Sequence, residues 1–157
     1  MHAAESTLSR SARFAMTPEP LHARRFAVDR DEEFLALLAA FRSSGGLATG
    51  AELVLRQPDT GTAQLARWII QREVMSFEWQ GHLWLPAFQF ERGRLACVPA
   101  VQRVVRELPH TLGGWDLAPW WVEPNALLAD GSPLDRLDQD TDGVVQAARA
   151  FRFIAAG

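Results

Sequence analysis

Residues Trp120–Leu137 read WWVEPNALLADGSPLDRL, and this stretch decides how the C-terminal third of the chain folds. Two punctuated turns, Pro124-Asn125 and Gly131-Ser132-Pro133, are flanked by apolar residues that need burial. Proline holds φ at about −65° and fits the first turn of a helix, and a serine directly before it can accept from the free N–H groups there. Ser132 stands in that position, and Asp135 completes a capping-box-like pair with a shorter acid than usual. The segment reads as a compact helical corner, not as a catalytic loop.

Working outward, the spacing predicts a last helix that begins near Asp142-Gly143 and places Val144, Ala147, Ala148, Phe151 and Ile154 inward. Its alanines permit close helix contact, while Arg149 and Arg152 project elsewhere. Upstream, Pro99 opens a helix with Val101, Val104, Val105 and Leu108 on one stripe. Gly113-Gly114 ends the connection, and Trp115, Leu117, Trp120 and Trp121 form a tryptophan-dense turn before Pro124. Such a cluster is first of all core. Tryptophan and arginine are also favoured at interface hot spots, which makes Trp115 and Trp120 candidates for partner contact.

The residues Trp121, Pro124-Asn125, Leu127-Leu128, Gly131, Pro133-Leu134-Asp135 and Leu137 together resemble the signature of the Xre/MbcA/ParS antitoxin family's C-terminal domain. The terminal run from Val144 to Gly157 looks like the helix that closes that domain. The resemblance implies an all-α domain that binds a cognate protein toxin, commonly ADP-ribosyltransferase-like or NAD-degrading. It also implies a separate helix-turn-helix that often binds the operon's own promoter, and a terminus that can reach toward the toxin's substrate pocket. The partner-binding candidates are Trp115, Trp120, Asn125, Arg149, Arg152, Phe153 and Gly157. Arginine there would offer a planar donor fork to carboxylates on the partner.

From Asp29 the pattern is helical: Phe34, Leu37, Leu38 and Phe41 recur on one face, Asp31 to Glu33 favour the N-terminus, and Gly45-Gly46 ends the helix. A short helix follows over about Gly50 to Arg56, then the turn Gln57–Gly61, then a third helix over about Thr62 to Arg72 that buries Leu65, Trp68 and Ile69. The period then falls to two, with Met75, Phe77 and Trp79 on one strand, the tight Gln80-Gly81 turn, and Leu83 and Leu85 in the return strand. This order weakly resembles the winged helix-turn-helix of excisionase and MerR-like proteins. The resemblance puts Trp68–Arg72 on the recognition helix, Gly81 in the wing, and Trp84 and Pro86 after it. The candidates for base contact are Gln64, Arg67, Gln71 and Arg72, although Glu73 and Glu78 would repel phosphate. DNA contact and a fold retained as a structural or dimerising platform both remain open.

Composition sets the outer limits. A chain of 157 residues holds one core, or two small ones in contact. The net charge is −3 and every basic side chain outside the histidines is arginine, which gives no basic face of the kind nucleic-acid modules carry. Residues 1–28 are rich in Ala, Ser, Arg and Pro and read as a flexible arm; Arg10, Arg13, Arg24, Arg25 and the neighbouring Arg30 make it the one basic contact region. With no long apolar run and no charged leader, neither a membrane span nor a signal peptide is indicated, and the cytoplasm is expected. The single cysteine, Cys97, excludes an internal disulfide and reads as a buried, inert thiol.

Enzyme chemistry finds no foothold in the residue pattern. His82 and His110 lie in different elements, with no carboxylate at metal-ligand spacing. Asp135, Asp138, Asp140 and Asp142 lack the order of donors, central glycine and terminal glutamate of a calcium loop. Gly45–Gly50 is followed by no lysine, which removes a phosphate loop.

The expected protein is mainly α, with a winged-helix-like hairpin in an α+β N-terminal part and an all-α C-terminal domain. The divisions are 1–28 arm, 29–90 helix-turn-helix-like domain, and 91–157 partner-binding domain. The expected function is that of a non-enzymatic antitoxin, without cofactor or metal, that binds and neutralises a toxin, with autoregulation through promoter DNA left open. The alternatives are a DNA-binding regulator with no toxin partner, or a structural or dimerisation protein. A homodimer is the expected assembly; Leu37, Phe41, Val104 and Leu108 could supply its apolar stripe, although each reads first as core, and the sequence does not fix which helices form it.

Overall fold

The computed structural model describes residues 21–157, with side chains from residue 29 onward; the expectations placed on 1–20, including Arg10 and Arg13, and on the side chains of Arg24 and Arg25 lie outside the described residues. The described chain is mainly helical with one small antiparallel sheet. The first helix, α1, spans Leu21–Ala40 and so begins at Leu21, not Asp29. Leu, Ala and Arg dominate residues 21–28, all good helix formers, so this part of the expected arm is helix. The acids at 29–33 consequently lie inside the helix, and Asp31 Oδ1 accepts from Trp79 Nε1 at 2.9 Å.

A strand not expected from the sequence follows. β1 (Leu47–Thr49) pairs antiparallel with β3 (His82–Pro86), which pairs on its other side with β2 (Phe77–Trp79), giving the order β1-β3-β2. The β2–β3 register sets Trp79 opposite His82 across Gln80 and Gly81, both at positive φ, as a tight hairpin of this hand requires. α2 (Gly50–Val54) opens on a complete capping box between Thr49 and Glu52, and α3 (Gly61–Ile70) ends before Arg72, whose φ is +55°. Both helices are shorter than the apolar period suggests.

α4 (Pro99–Glu107) and α7 (Thr141–Ala156) form the main helix pair. The tryptophan-dense turn is instead a helix, α5 (Gly114–Val122), despite Pro119 within it. Burial of Leu117, Ala118, Trp120 and Trp121 on one short element stabilises it against the lost hydrogen bond. Gly114 is required at its start, because a Cβ there would overlap the Ser76 carbonyl. After α6 (Pro133–Arg136), Asp140 Oδ1 accepts from Gly143 N at 2.9 Å and starts α7.

Two apolar cores result. The smaller holds Leu53, Leu65, Trp68, Val74, Leu85 and Phe90 between α2, α3 and the sheet. The larger joins Phe34 and Leu37 of α1, Phe41 just after it and Phe77 of β2 to Val101, Val104, Leu108, Trp121, Val144 and Ala148. It therefore crosses residue 90, and α1 packs with the C-terminal helices. Leu37, Phe41, Val104 and Leu108, which read first as core and only second as a dimer stripe, are all buried within this core and so offer no free stripe. Gln89 is fully buried at the junction: its side-chain amide accepts from Met75 N at 2.6 Å and donates to Met75 O at 2.9 Å and Pro86 O at 3.2 Å, replacing the pairing a strand neighbour would give.

Candidate functional site

The corner at residues 123–137 is held by local caps. Asn125 Oδ1 accepts from Leu127 N at 3.0 Å, and Ser132 Oγ accepts from Asp135 N at 3.1 Å. Ala129 and Asp130 both adopt positive φ, which turns the chain back so that Gly131 O accepts from Asn125 N. Leu128 and Leu137 drop into the larger core, whereas Leu127 stays exposed. Asn125 thus sets the bend, and its carboxamide oxygen is engaged within the corner.

The two candidate tryptophans have separate surroundings. Trp120 is buried, edge-on to Trp121 at 5.3 Å between centroids and stacked on Phe151 at 6.1 Å. It is a core residue, since α7 covers it. Trp115 is half-buried: its Nε1 donates to Glu78 O at 3.0 Å and the Arg30 guanidinium lies over the ring at 4.6 Å. The indole therefore covers the open edge of β2.

On α7 the arginines turn inward along the surface. Arg149 and Arg152 both reach Glu107 at the end of α4, at 3.2 and 3.0 Å, and this paired cationic contact holds the Glu107 carboxyl below its usual range, the Arg149 hydrogen bond being the largest cause. Nothing in the sequence marked Glu107, because its partners lie some forty positions downstream. Phe153 is 82% exposed, and Ile154, expected to face inward, is 76% exposed. α7 has 16 residues against the 9 of α4, so its last turn outruns the surface that could cover it. Gly157 ends the chain with its N–H on Ile154 O.

The base-contact candidates also separate. Arg67 and Gln71 are exposed, and Gln64 is half-buried. Arg72 turns away from α3 and donates to Leu112 O at 2.9 Å, tying the end of α3 to the α4–α5 connection. The outward face of α3 consists of Thr62, Ala63, Ala66, Arg67 and Ile70, with Gln64 half-buried at its edge.

Elsewhere the chemistry is quiet. Cys97 is half-buried, and burial, reinforced by the Glu73 charge, pushes its thiol up to about 12, so it stays protonated at neutral pH. His82 is exposed beside the hairpin turn, and His110 Nε2 sits 3.1 Å from Arg106 O. Among the described residues no three His, Cys, Asp or Glu side chains converge, and no helix is long and apolar enough to cross a membrane. No family model, curated protein or solved structure matches the chain.

Proposed function

We propose that this chain is a non-enzymatic, antitoxin-like protein whose C-terminal helices bind a cognate protein toxin. The observation that carries the reading is the Phe153-Ile154 pair, left bare at the end of a helix whose inner face is packed and whose arginines are already paired. An apolar pair at the tip of a well-anchored helix suits insertion into a partner's cleft, since burial there adds contact without reordering the body. The resemblance of Trp121–Leu137 to Xre/MbcA/ParS antitoxins points to an ADP-ribosyltransferase-like or NAD-degrading toxin, met in the cytoplasm. Co-expression with the protein encoded by the adjacent gene, followed by size-exclusion chromatography, should give a single co-eluting complex and suppress the partner's toxicity. Separate elution together with unrelieved toxicity would overturn the reading.

Promoter binding is supported by a different observation. The order α1-β1-α2-α3-β2-β3, with β3 central in the sheet, is compatible with a winged helix-turn-helix. Against it, the outward face of α3 offers Arg67 as its one charged donor, where base reading needs several polar groups. Gel mobility of the upstream promoter at low salt decides: a specific, salt-sensitive shift supports autoregulation, and its absence even with partner present removes it.

A further inference from the structure

α1 and α5 leave between them an apolar groove of about 280 Å³, lined among others by Glu33, Ala36 and Ala40 on one side and by Trp115, Val122 and Glu123 on the other. The two helices run side by side in one direction. Arg30 lies over the Trp115 ring at 4.6 Å at one end of the groove, and Phe41 and Trp121 both pack on Phe88 at the other. Glu33 therefore stands at the first end and Glu123 at the second, and the two helical turns from Glu33 to Ala40 set these ends roughly 10 Å apart. Between them Ala36 and Ala40 are small and exposed, which leaves room for a helix to lie close. We propose that the groove receives a basic amphipathic helix of a protein partner, with apolar residues on Ala36 and Ala40 and two cationic side chains, two turns apart, on Glu33 and Glu123. This surface is separate from the Phe153-Ile154 tip and does not depend on the toxin reading.

The charge of the groove selects this occupant. Residues 31–41 and 111–123, which build its walls, contain five acids and no base. Asp29 stands one turn before Glu33 on the same stripe of α1, and the exposed Asp116 two turns before Glu123 on the same side of α5. Arg30 is drawn onto Glu33 at 2.7 Å, so Asp29 keeps that end negative; among the described residues neither Asp29 nor Glu123 makes an ion pair. Both ends thus carry one sign. An acidic segment, a phosphate backbone or an anionic lipid surface would meet repulsion at each, whereas a helix with bases at matching spacing is attracted at both. A second copy fits less well, because α4 and α7 carry Arg103 and Arg106, and Arg149 and Arg152, one turn apart and already paired to acids of their own chain.

The test is a fluorescence-anisotropy titration of the full-length chain into a labelled, end-capped helical peptide that carries two arginines seven positions apart with leucines between them. Binding should be saturable and should weaken as salt is raised. Ala36→Arg, which fills the floor with a like charge, should weaken it about tenfold, and Glu123→Arg about fivefold. Leu35→Arg, on another exposed face of α1, should leave it unchanged. Replacing one of the two peptide arginines by glutamate should restore affinity for the Glu123→Arg chain. Ala36, Glu123 and Leu35 are all exposed, so an unchanged circular-dichroism melt verifies that the variants fold. No saturable binding up to about 1 mM peptide, equal binding of the peptide with both arginines changed to glutamate, or binding indifferent to Ala36→Arg would overturn the proposal. Self-association of the wild type in sedimentation equilibrium that is abolished by Ala36→Arg would overturn it too, by assigning the groove to a second copy.

Discussion

Deleting residues 153–157 should separate binding from stability. In the free protein only about a fifth of Phe153 and of Ile154 is covered, so at ~1.5–3 kcal/mol for complete burial each contributes roughly 0.3–0.6 kcal/mol to folding. Arg152 remains on Glu107, and α7 loses only its last turn, an exposed helix end whose backbone hydrogen bonds open at little cost. The melting temperature of a chain this size should therefore fall by only about 2–4 °C. In a complex that covers the rest of both side chains, the loss would be about 2.5–5 kcal/mol, or a sixtyfold or greater weakening of the dissociation constant. Calorimetric titration against the neighbour-encoded protein reads the second quantity, and a far-ultraviolet melt reads the first. A melt lowered by more than about 10 °C would show that the tail is part of the core. An affinity that does not move would place the partner surface elsewhere, with the exposed Leu127 and its corner the next region to test.

Three further outcomes follow from the geometry. Gln89→Leu keeps the apolar bulk but strands Met75 N–H and C=O in the interior, which should cost roughly 2–6 kcal/mol; a melt within about 3 °C of wild type would show that Met75 finds other partners. Glu107 has its carboxyl pKa lowered in the folded state, so its contribution is present above the unfolded value of ~4.3 and is lost as pH falls through the folded value. Acidification below that range should lower the wild-type melt more steeply than that of Glu107→Gln, and parallel pH profiles would refute the clamp. Arg72→Ala should lower stability by about 1–2 kcal/mol through the lost bond to Leu112 O, while an unchanged melt with a lost promoter shift would return this guanidinium to DNA.

The elements legible in the sequence are those whose cause is local. The β2–β3 hairpin is written in an alternating pattern around Gln80-Gly81, and the C-terminal corner in two caps that each act within three residues. β1 is invisible by the same standard: Leu-Ala-Thr has no alternation to speak of and becomes a strand only because β3 offers it a ladder. α5 hides for the opposite reason, since its glycines and Pro119 carry turn chemistry that the burial of four residues overrides. Side-chain roles follow this division. Arg72, Arg149 and Arg152 are chemically suited to reach a ligand, yet each has a nearer acceptor supplied by a distant part of the chain.

That pairing changes what a partner of the C-terminal helix must look like. An arginine-bearing tail would ask for carboxylates across the interface, and the sequence pattern alone points that way. With both guanidinium groups drawn onto Glu107, their capture by a partner's acid would first exchange two half-exposed ion pairs, so it would add little net attraction. Phe153 and Ile154 carry no such competing contact, and their exposed surface is available at once. The proposed partner would then offer an apolar cleft sized for one aromatic and one branched side chain. Charge enters at its margin, where the outer edges of Arg149 and Arg152 face solvent and steer approach more than they add affinity.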